Sequence, residues 1–336
     1  MPPASSFPAV PKVVIALMFF PRGGSAQVVR YLARNLLDND WQPTIVAGSQ
    51  RGQGDAREFF DGLEVHPVDY TDALEADDPL RAPTPLHPSF EDRPDEPDRI
   101  FAKVDDDTYE HLVAAWEREL RDAGAADADV IHLNHLTPMN EAAERAFPDL
   151  PRVGHLHGTE LLMLREIDEG PPAGWDHASE WAERLRRWAR SCERLFVLSP
   201  DAVRRVPDLL GVDPGKVVWA PNGFDPELFD RRPVTGSDRR SLWRSWLVEE
   251  PRGWDPESRE PGSVSYTDDD LAAFDDGPVL LYVGRYTEVK RIPLLIRAYA
   301  RVRDRFDHRA PLVLLGGYPG EWEGDHPLDV IRETGA

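Results

Sequence analysis

The sequence is poor in cysteine, in lysine and in long apolar runs. Its 336 residues contain one cysteine, Cys192, which excludes an intramolecular disulfide framework and any metal site built from several cysteines. A reducing compartment, by default the cytoplasm, is therefore expected. The first apolar run, residues 13–20, is shorter than the ~20 residues needed to cross a bilayer, and no cleavage pattern follows it. No transmembrane segment is predicted, which leaves peripheral contact with a membrane open.

Positive charge is also scarce. The chain has 39 Lys and Arg residues against 61 Asp and Glu residues, for a formal net charge of −22. Such a field opposes nonspecific binding to nucleic acid and to anionic lipid, so no nucleic-acid partner is predicted. The 41% content of hydrophobic residues is typical of a packed globular protein, and the length suffices for two domains.

Strand and helix patterns alternate along the first 220 residues. Residues 13–17 form a continuous apolar run, typical of a strand buried on both faces, and a glycine turn then leads into the apolar stripe of a helix. Further strands are predicted at residues 43–47, 128–133, 152–157, 195–198 and 217–220, and helices at residues 108–123, 181–192 and after Ser199. This alternation predicts an α/β fold with a doubly wound parallel sheet.

Two stretches break the alternation because they are rich in Pro and in charged residues. We predict that residues 71–107 form a long surface loop beside the ligand crevice, and that this loop binds the acceptor instead of joining the core. Residues 231–270 are interpreted as an interdomain linker with some helix.

A second Rossmann-like domain is predicted to begin after this linker. Residues 279–283, 293–306 and 312–315 read as one strand–helix–strand unit. The predicted boundaries are residues 1–222 for the first domain, 223–274 for the linker and 275–336 for the second domain. One such unit cannot bury both faces of its sheet, so we expect the second domain to be incomplete through truncation.

The turn after the first strand contains Gly23 and Gly24. Open α/β sheets bind ligands where a strand ends and a helix begins, and helix N-termini offer free N–H groups to anions. A tight turn without a ligand explains the two glycines equally well. The turn matches neither the G-x-G-x-x-G pattern nor the P-loop, which disfavours a dinucleotide dehydrogenase or an ATPase.

A histidine-rich segment ends the strand at residues 152–157. His155 and His157 lie two residues apart, so their side chains should point to the same face. Together with His132 or His135 they make a zinc site conceivable, but the spacing lacks a clear third ligand. No metal site is predicted.

Two cations, Arg285 and Lys290, follow the first strand of the second domain. They precede a helix, where the dipole would disfavour them unless an anion neutralised them. A pair of solvated surface charges is the alternative. We favour a diphosphate-binding loop.

In order along the chain, these features resemble those of the family 4-like retaining glycosyltransferases of the GT-B fold. The resemblance rests on four segments: Gly23-Gly24, His157-Gly158-Thr159-Glu160, Pro221-Asn222-Gly223-Phe224-Asp225 and the G-R-x4-K turn from Gly284 to Lys290. It implies two Rossmann-like doubly wound parallel-sheet domains that face each other across a cleft, the first binding the acceptor and the second the donor.

The resemblance also implies a reaction. A hexose or an N-acetylhexosamine would pass from a UDP-, GDP- or ADP-linked donor to a sugar, lipid or small-molecule acceptor. The anomeric configuration would be retained, and neither a metal nor another cofactor would take part.

Residue roles follow from the resemblance position by position. Arg285 and Lys290 would hold the donor diphosphate, Gly23 and Gly24 would approach the phosphates or the transferred sugar, and His157 would act at the reacting carbon. The remaining residues expected to line the site are Arg22, His155, Thr159, Glu160 and Asn222.

The chain departs from the family pattern at two points. Arg291 stands where the family usually has glycine after the lysine, and the family's E-x7-E element has no match after Lys290. Either the chain stops before that element or the protein is a binding remnant without turnover, and the chain alone is not expected to be active. The alternatives are a noncatalytic carbohydrate-binding or scaffold protein, or a nucleotide-sugar epimerase of the same fold, against which G-R-x4-K and P-N-G-x-D argue.

Overall fold

The computed structural model describes residues 10–52, 54–92, 97–275, 277–307, 309–317, 319–320 and 322–336. The chain divides into two compact units, Met1–Phe229 and Asp230–Ala336. The division falls near residue 229, and the segment predicted as a linker therefore lies mostly within the second unit.

The first unit is an α/β unit built on a parallel sheet. Its strands are β1 (Lys12–Leu17), β2 (Gln42–Ser49), β3 (Glu64–Asp69), β4 (Val130–Asn134), β5 (Arg152–Leu156), β6 (Arg194–Val197) and β7 (Val217–Trp219). Within the described residues these form one seven-stranded sheet in the order β3-β2-β1-β4-β5-β6-β7, with every neighbouring pair parallel. The predicted doubly wound parallel sheet is confirmed.

Helices cover both faces of this sheet. They are α1 (Gly24–Asp38), α2 (Ala56–Phe59), α3 (Thr71–Leu74), α4 (Asp106–Asp122), α5 (Pro138–Ala146), α6 (Thr159–Glu169), α7 (Ala178–Ser191) and α8 (Pro200–Leu210). Alternate residues of β1 enter two separate cores, since Ile15 packs with α1 and α2 while Val14 packs in the larger core that includes α4, α5 and α7. This two-sided burial explains the unbroken apolar run of β1.

The Pro-rich segment at residues 71–107 contributes to the larger core. The prediction of a surface loop outside the core was wrong, because Leu80, Leu86 and Phe101 are almost completely buried in the larger core. Its apolar residues enter the core at irregular spacings, with neither a helical nor a strand period. For this reason the sequence pattern did not indicate that they are buried. The N–H of Ser89 donates to the carbonyl of Arg99 at 2.8 Å, and that of Phe101 donates to the carbonyl of Ser89 at 2.8 Å. Residues 93–96 of this segment lie outside the described residues.

The second unit contains the predicted strand–helix–strand motif. Strands β8 (Leu280–Val283) and β9 (Leu312–Leu315) pair in parallel, and the helices are α9 (Gly236–Arg244), α10 (Ile292–Val302) and α11 (Pro327–Thr334), with a π-helical turn at Ser245–Glu249. Ile292 and Ile296 of α10 pack with Val330 of α11 in its core. In the described part of the chain, no helix combines the length and the apolar character needed to cross a bilayer.

Core membership of the segment at residues 71–107 predicts a stability effect at Phe101. Its ring lies 4.9 Å from that of Trp181 and 4.6 Å from that of Phe90, between ring centroids. We expect Phe101→Ala to lower the free energy of unfolding by ~3–5 kcal/mol, the usual cost of a large cavity in a core. Urea denaturation measures this, with the exposed Leu162→Ala as the control. A loss of unfolding free energy below about 1 kcal/mol would contradict core membership and would indicate a surface segment.

Candidate functional site

The glycine turn lies at the carboxyl end of β1. Gly23 has a φ of 82° and immediately precedes α1, and among the described residues no side chain caps the first turn of that helix. A Cβ at Gly23 or Gly24 would meet no atom within 4 Å, so the turn is open on that side. The left-handed backbone explains Gly23 without a ligand. The open space and the uncapped N–H groups of a 15-residue helix make the turn able to receive an anion.

Four imidazoles stand in a row beside the carboxyl ends of β4 and β5. The ring centroids are separated by 5.3 Å from His132 to His155, 4.6 Å from His155 to His157, and 4.5 Å from His157 to His135. His155 and His157 thus share one face, as strand alternation predicts. His132, His155 and His135 are buried, whereas His157, which lies between His155 and His135, is partly exposed.

The orientation of His157 is fixed by Asn134, the last residue of β4. The amide nitrogen of Asn134 donates to the carbonyl of Ala16 in β1 at 3.2 Å, which turns its oxygen toward His157. That oxygen lies 2.9 Å from Nε2 of His157, so Nε2 carries the proton and donates it. The other nitrogen, Nδ1, then holds the lone pair and can accept a hydrogen bond.

The carboxylate of Glu160 holds His157 and His135 in place. It lies in the first turn of α6 with 1% of its surface exposed, and its Oε1 accepts the backbone N–H of His157 at 2.9 Å. Its Oε2 lies 3.4 Å from Nδ1 of His135 and from the hydroxyl of Thr159. Burial acts to raise the pKa of Glu160, but His135 and these hydrogen bonds outweigh it and hold the pKa below its usual value. The carboxylate is therefore ionised and structural.

Three imidazoles of the row, those of His132, His155 and His157, are held neutral. Burial, followed by the neighbouring His155, lowers the pKa of His132 to about 3. Burial also lowers the pKa of His155 to about 4, because it outweighs the opposing effect of the Glu160 carboxylate, and His135 adds to the lowering. Burial, followed by the three neighbouring rings, also lowers the pKa of His157. Neither ring nitrogen of His155 has a hydrogen-bond partner in the part of the chain that the structure describes, so no hydrogen bond there stabilises a charged ring.

His135 has a strained backbone conformation. This residue has a φ of 66°, a left-handed conformation that is uncommon for any residue other than glycine. Its N–H donates to the carbonyl of His155 at 2.8 Å, which ties the end of β4 to β5. This hydrogen bond helps to hold His135 in its strained conformation, at the edge of the sheet beside the other imidazoles.

Sequence reasoning missed Asn134 and the contacts of His135. Asn134 ends β4 and His135 follows it directly, so the rule that parallel strands present their carboxyl ends at one edge would have found both residues. Across the described residues, no group of three or more His, Cys, Asp or Glu side chains could hold a metal ion.

In the second unit, the loop after β8 carries Arg285 and Lys290 with both side chains exposed. The hydroxyl of Tyr282 donates to the carbonyl of Arg285 at 2.9 Å, and the N–H of Lys290 donates to the carbonyl of Thr287 at 3.0 Å. Among the described residues, the ammonium group of Lys290 forms no ion pair. This loop therefore presents two cations on a constrained backbone.

Arg291 shows why glycine is usual at its position. Its φ of 52° and ψ of 39° lie in the left-handed region, at the residue just before α10. A glycine would adopt this conformation without steric cost, whereas arginine adopts it with strain. The sequence departure therefore leaves the loop in the conformation that glycine favours.

The structure brings together only part of the predicted site. His155, His157, Thr159 and Glu160 form one contiguous cluster. Arg22 is exposed beside the glycine turn, with its guanidinium 5.7 Å from the ring centroid of Phe20. Asn222 is exposed in the segment that follows β7.

Comparison with known proteins gives a family and a fold. The family model described as Glycosyltransferase Family 4 matches residues 22–228. No curated protein matches the chain by sequence.

Solved structures with the GT-B fold resemble the chain along nearly its whole length. HepE from Anabaena, in complex with UDP and glucose, is 15% identical with a TM-score of 0.53, covering 96% of this chain and 64% of HepE. A glycosyltransferase from Rickettsia africae ESF-5 is 11% identical with a TM-score of 0.54, covering 97% of this chain and 66% of that protein. The chain thus spans just under two thirds of the length of these structures. The predicted GT-B fold is confirmed.

The neutral imidazole row predicts that stability falls in acid. His132 and His155 bind protons at ordinary pKa values when unfolded, but at about 3 and about 4 when folded. The unfolded state therefore binds more protons below pH ~6.5, and each buried imidazole costs ~1.4 kcal/mol of stability per pH unit from there down to its folded pKa. We expect the melting temperature to be level above pH 7 and to fall steadily between pH 6.5 and pH 4.5.

A substitution isolates the contribution of His155. His155→Phe keeps an aromatic ring in the stack and removes one titrating group, so the fall between pH 6.5 and pH 4.5 should become shallower. His177→Phe, at the start of α7 and outside the row, should leave the slope unchanged. Parallel pH profiles for the wild type and His155→Phe would contradict the neutral-imidazole account.

Proposed function

Since the chain belongs to glycosyltransferase family 4, we propose that the full-length protein transfers a hexose or an N-acetylhexosamine from a nucleotide-diphosphate sugar to an acceptor. The observation that carries this proposal is the loop after β8, which presents Arg285 and Lys290 at the carboxyl end of a parallel strand. This is where open α/β sheets bind ligands, and a diphosphate is an anion whose charge and oxygen atoms suit an arginine and a lysine.

In this proposal each of the two units binds a different substrate. Residues 275–336 contribute to the donor side, where Arg285 and Lys290 neutralise the departing diphosphate and no metal or other cofactor is required. Residues 1–222 form the acceptor side. Gly23 and Gly24 offer an open turn and helix N–H groups to the phosphates or the transferred sugar, and Arg22 adds a cation beside them.

His157 is proposed to act on the transferred sugar. Because Nε2 of His157 donates its hydrogen bond to Asn134, Nδ1 of the neutral ring is left to accept a hydrogen bond from a sugar hydroxyl near the reacting carbon. A neutral imidazole with a lowered pKa is a poor general acid, so its contribution is orientation and partial charge stabilisation. His155, Thr159 and Glu160 support it from behind, and Asn222 lines the site.

We propose that the anomeric configuration is retained by front-face attack. The bond from the anomeric carbon to the diphosphate breaks as the acceptor oxygen bonds to the same face, and the leaving phosphate oxygen takes the acceptor proton. A double-displacement route would need a carboxylate nucleophile. Glu160 does not suit that role, because it is buried and both of its oxygens lie within hydrogen-bond distance of other groups.

The donor base and the location are parts of the same proposal. HepE binds UDP and glucose, which supports a UDP-linked hexose as the first donor to test, ahead of GDP- and ADP-linked sugars. The acceptor is a sugar, lipid or small molecule. A cytoplasmic location fits the one buried free cysteine, Cys192.

Arg285 and Lys290 together are called the diphosphate clamp, and this assignment predicts large kinetic effects when either residue is replaced. Arg285→Ala and Lys290→Ala, tested separately in the full-length protein, should each weaken nucleotide binding. Each should also slow transfer, because removal of one cation costs ~2–4 kcal/mol where leaving-group charge peaks, or roughly thirtyfold to a thousandfold in rate. Calorimetry with UDP and GDP, together with initial transfer rates, measures both.

A matched control separates the clamp from general charge effects. Arg301→Ala removes an exposed cation from α10 in the same unit and should leave affinity and rate close to the wild type. The melting temperatures of all three variants should agree within a few degrees. If both clamp variants keep wild-type affinity and turnover, the assignment is wrong.

His157 is predicted to serve chemistry more than stability. His157→Ala should lower kcat on the order of 100-fold, as loss of an oriented transition-state hydrogen bond does, with little change in melting temperature. His66→Ala, on β3, is the control for loss of an imidazole in the same unit. A variant that mainly loses stability and keeps its turnover would show that His157 is a packing residue.

A further inference from the structure

The segment after β9 folds against the loop that carries Arg285 and Lys290. Gly316 and Gly317 are the first residues after β9, and the N–H of Gly317 donates to the carbonyl of Gly284 at 3.2 Å. A Cβ at Gly317 would lie 2.7 Å from the ring of Tyr286, and one at Gly316 would lie 2.2 Å from the carbonyl oxygen of Gly284. Only glycine permits this approach, so the two segments are built to touch.

Glu323 forms two hydrogen bonds with the loop that carries Arg285 and Lys290. Its backbone N–H donates to the carbonyl of Tyr286 at 2.8 Å, and its carboxylate oxygen Oε2 accepts the backbone N–H of Glu288 at 2.9 Å. The next residue, Gly324, lies against the side chain of Glu288, with Oε1 of Glu288 3.3 Å from the Cβ position of Gly324. One residue therefore fixes the loop at two points between the two cations.

With these contacts, three consecutive backbone carbonyls around Arg285 each accept a hydrogen bond. Gly284 accepts from Gly317, Arg285 accepts from the hydroxyl of Tyr282, and Tyr286 accepts from Glu323. The Glu288 N–H would otherwise be a free donor at the start of the 3-10 turn Glu288–Lys290, which ends on the second cation. Each link restricts the peptide groups that set the directions of the Arg285 and Lys290 side chains.

The loop also packs against an aromatic side chain from another segment. The ring of Tyr286 stacks on that of Trp254 with a centroid distance of 6.0 Å and an interplanar angle of 25°, and Trp254 is 7% exposed. Trp254 belongs to the irregular segment at residues 231–270. The loop is thus supported both by this segment and by Glu323.

We propose that Glu323 is a positioning residue for the donor diphosphate. It acts through the backbone of the loop and does not touch the donor itself. This inference rests on the proposed function, in which Arg285 and Lys290 hold the diphosphate. The hydrogen bond to Glu288 is the link that a side-chain substitution can remove, because the bond to Tyr286 uses the backbone of Glu323.

Two substitutions distinguish hydrogen bonding from charge. Glu323→Ala removes the acceptor oxygen, whereas Glu323→Gln keeps an acceptor oxygen and removes the charge. A positioning role predicts that glutamine restores most of what alanine loses. A role in direct charge interaction predicts that the two variants behave alike. Glu333→Ala, on α11 and 3.4 Å from Arg297, is the control for loss of an exposed carboxylate in the same unit.

The first readout is independent of activity. Amide hydrogen exchange of the peptide that covers residues 284–291 should be faster in Glu323→Ala than in the wild type, in Glu323→Gln and in Glu333→Ala. Unchanged exchange in Glu323→Ala would overturn the positioning role, whatever the protein binds.

The second readout is function. In the full-length protein, Glu323→Ala should weaken UDP binding by roughly tenfold, the loss expected when one charge-assisted hydrogen bond no longer preorganises a site. It should raise the donor KM, leave the acceptor KM unchanged and keep the wild-type melting temperature. Unchanged UDP affinity in Glu323→Ala, or an equal loss in Glu323→Gln, would overturn the proposal. If the wild type bound none of UDP, GDP and ADP, the proposed function itself would fail, and this inference would fail with it.

Discussion

The parallel direction of every strand pair in the first unit is the constraint on which its candidate site depends. Parallel pairing brings all carboxyl ends to one edge, so residues far apart in sequence become neighbours there. Asn134 at the end of β4 bridges Ala16 of β1 and His157 beyond β5, and the Gly23 turn follows β1 at the same edge. The second unit repeats the arrangement on a smaller scale, with the Arg285 loop following β8.

Polar groups at this edge are held by a few hydrogen bonds that also decide their protonation. Glu160 is ionised because His135 and backbone N–H groups, including that of His157, outweigh the effect of its burial. His132 and His155 are neutral because burial lowers their pKa values and, at His155, outweighs the opposing effect of Glu160. The result is a fixed carboxylate beneath a neutral His157 whose free nitrogen accepts hydrogen bonds. Such a site favours binding and orienting hydroxyl groups over transferring protons.

Sequence patterns predicted what repeats along the chain and missed what depends on tertiary contact. Six strands of the first unit were predictable because buried parallel strands are continuous apolar runs. Strand β3 was missed because its sequence, Glu64–Asp69, is not a continuous apolar run. The core role of Leu80, Leu86 and Phe101 was not, since these residues follow no period and acquire their environment from helices distant in sequence. No sequence pattern marks Glu323, because its contact with Glu288 depends on how two loops fold together.

The central claim, a glycosyltransferase that retains configuration, is tested most directly by the stereochemistry of the released sugar. Proton NMR of the full-length protein with an α-linked UDP-hexose in EDTA resolves the first anomer formed, before mutarotation mixes the two. The account predicts the α-anomer. Release of the β-anomer would contradict retention, and no release or transfer from UDP-, GDP- or ADP-linked sugars would contradict the enzyme assignment itself.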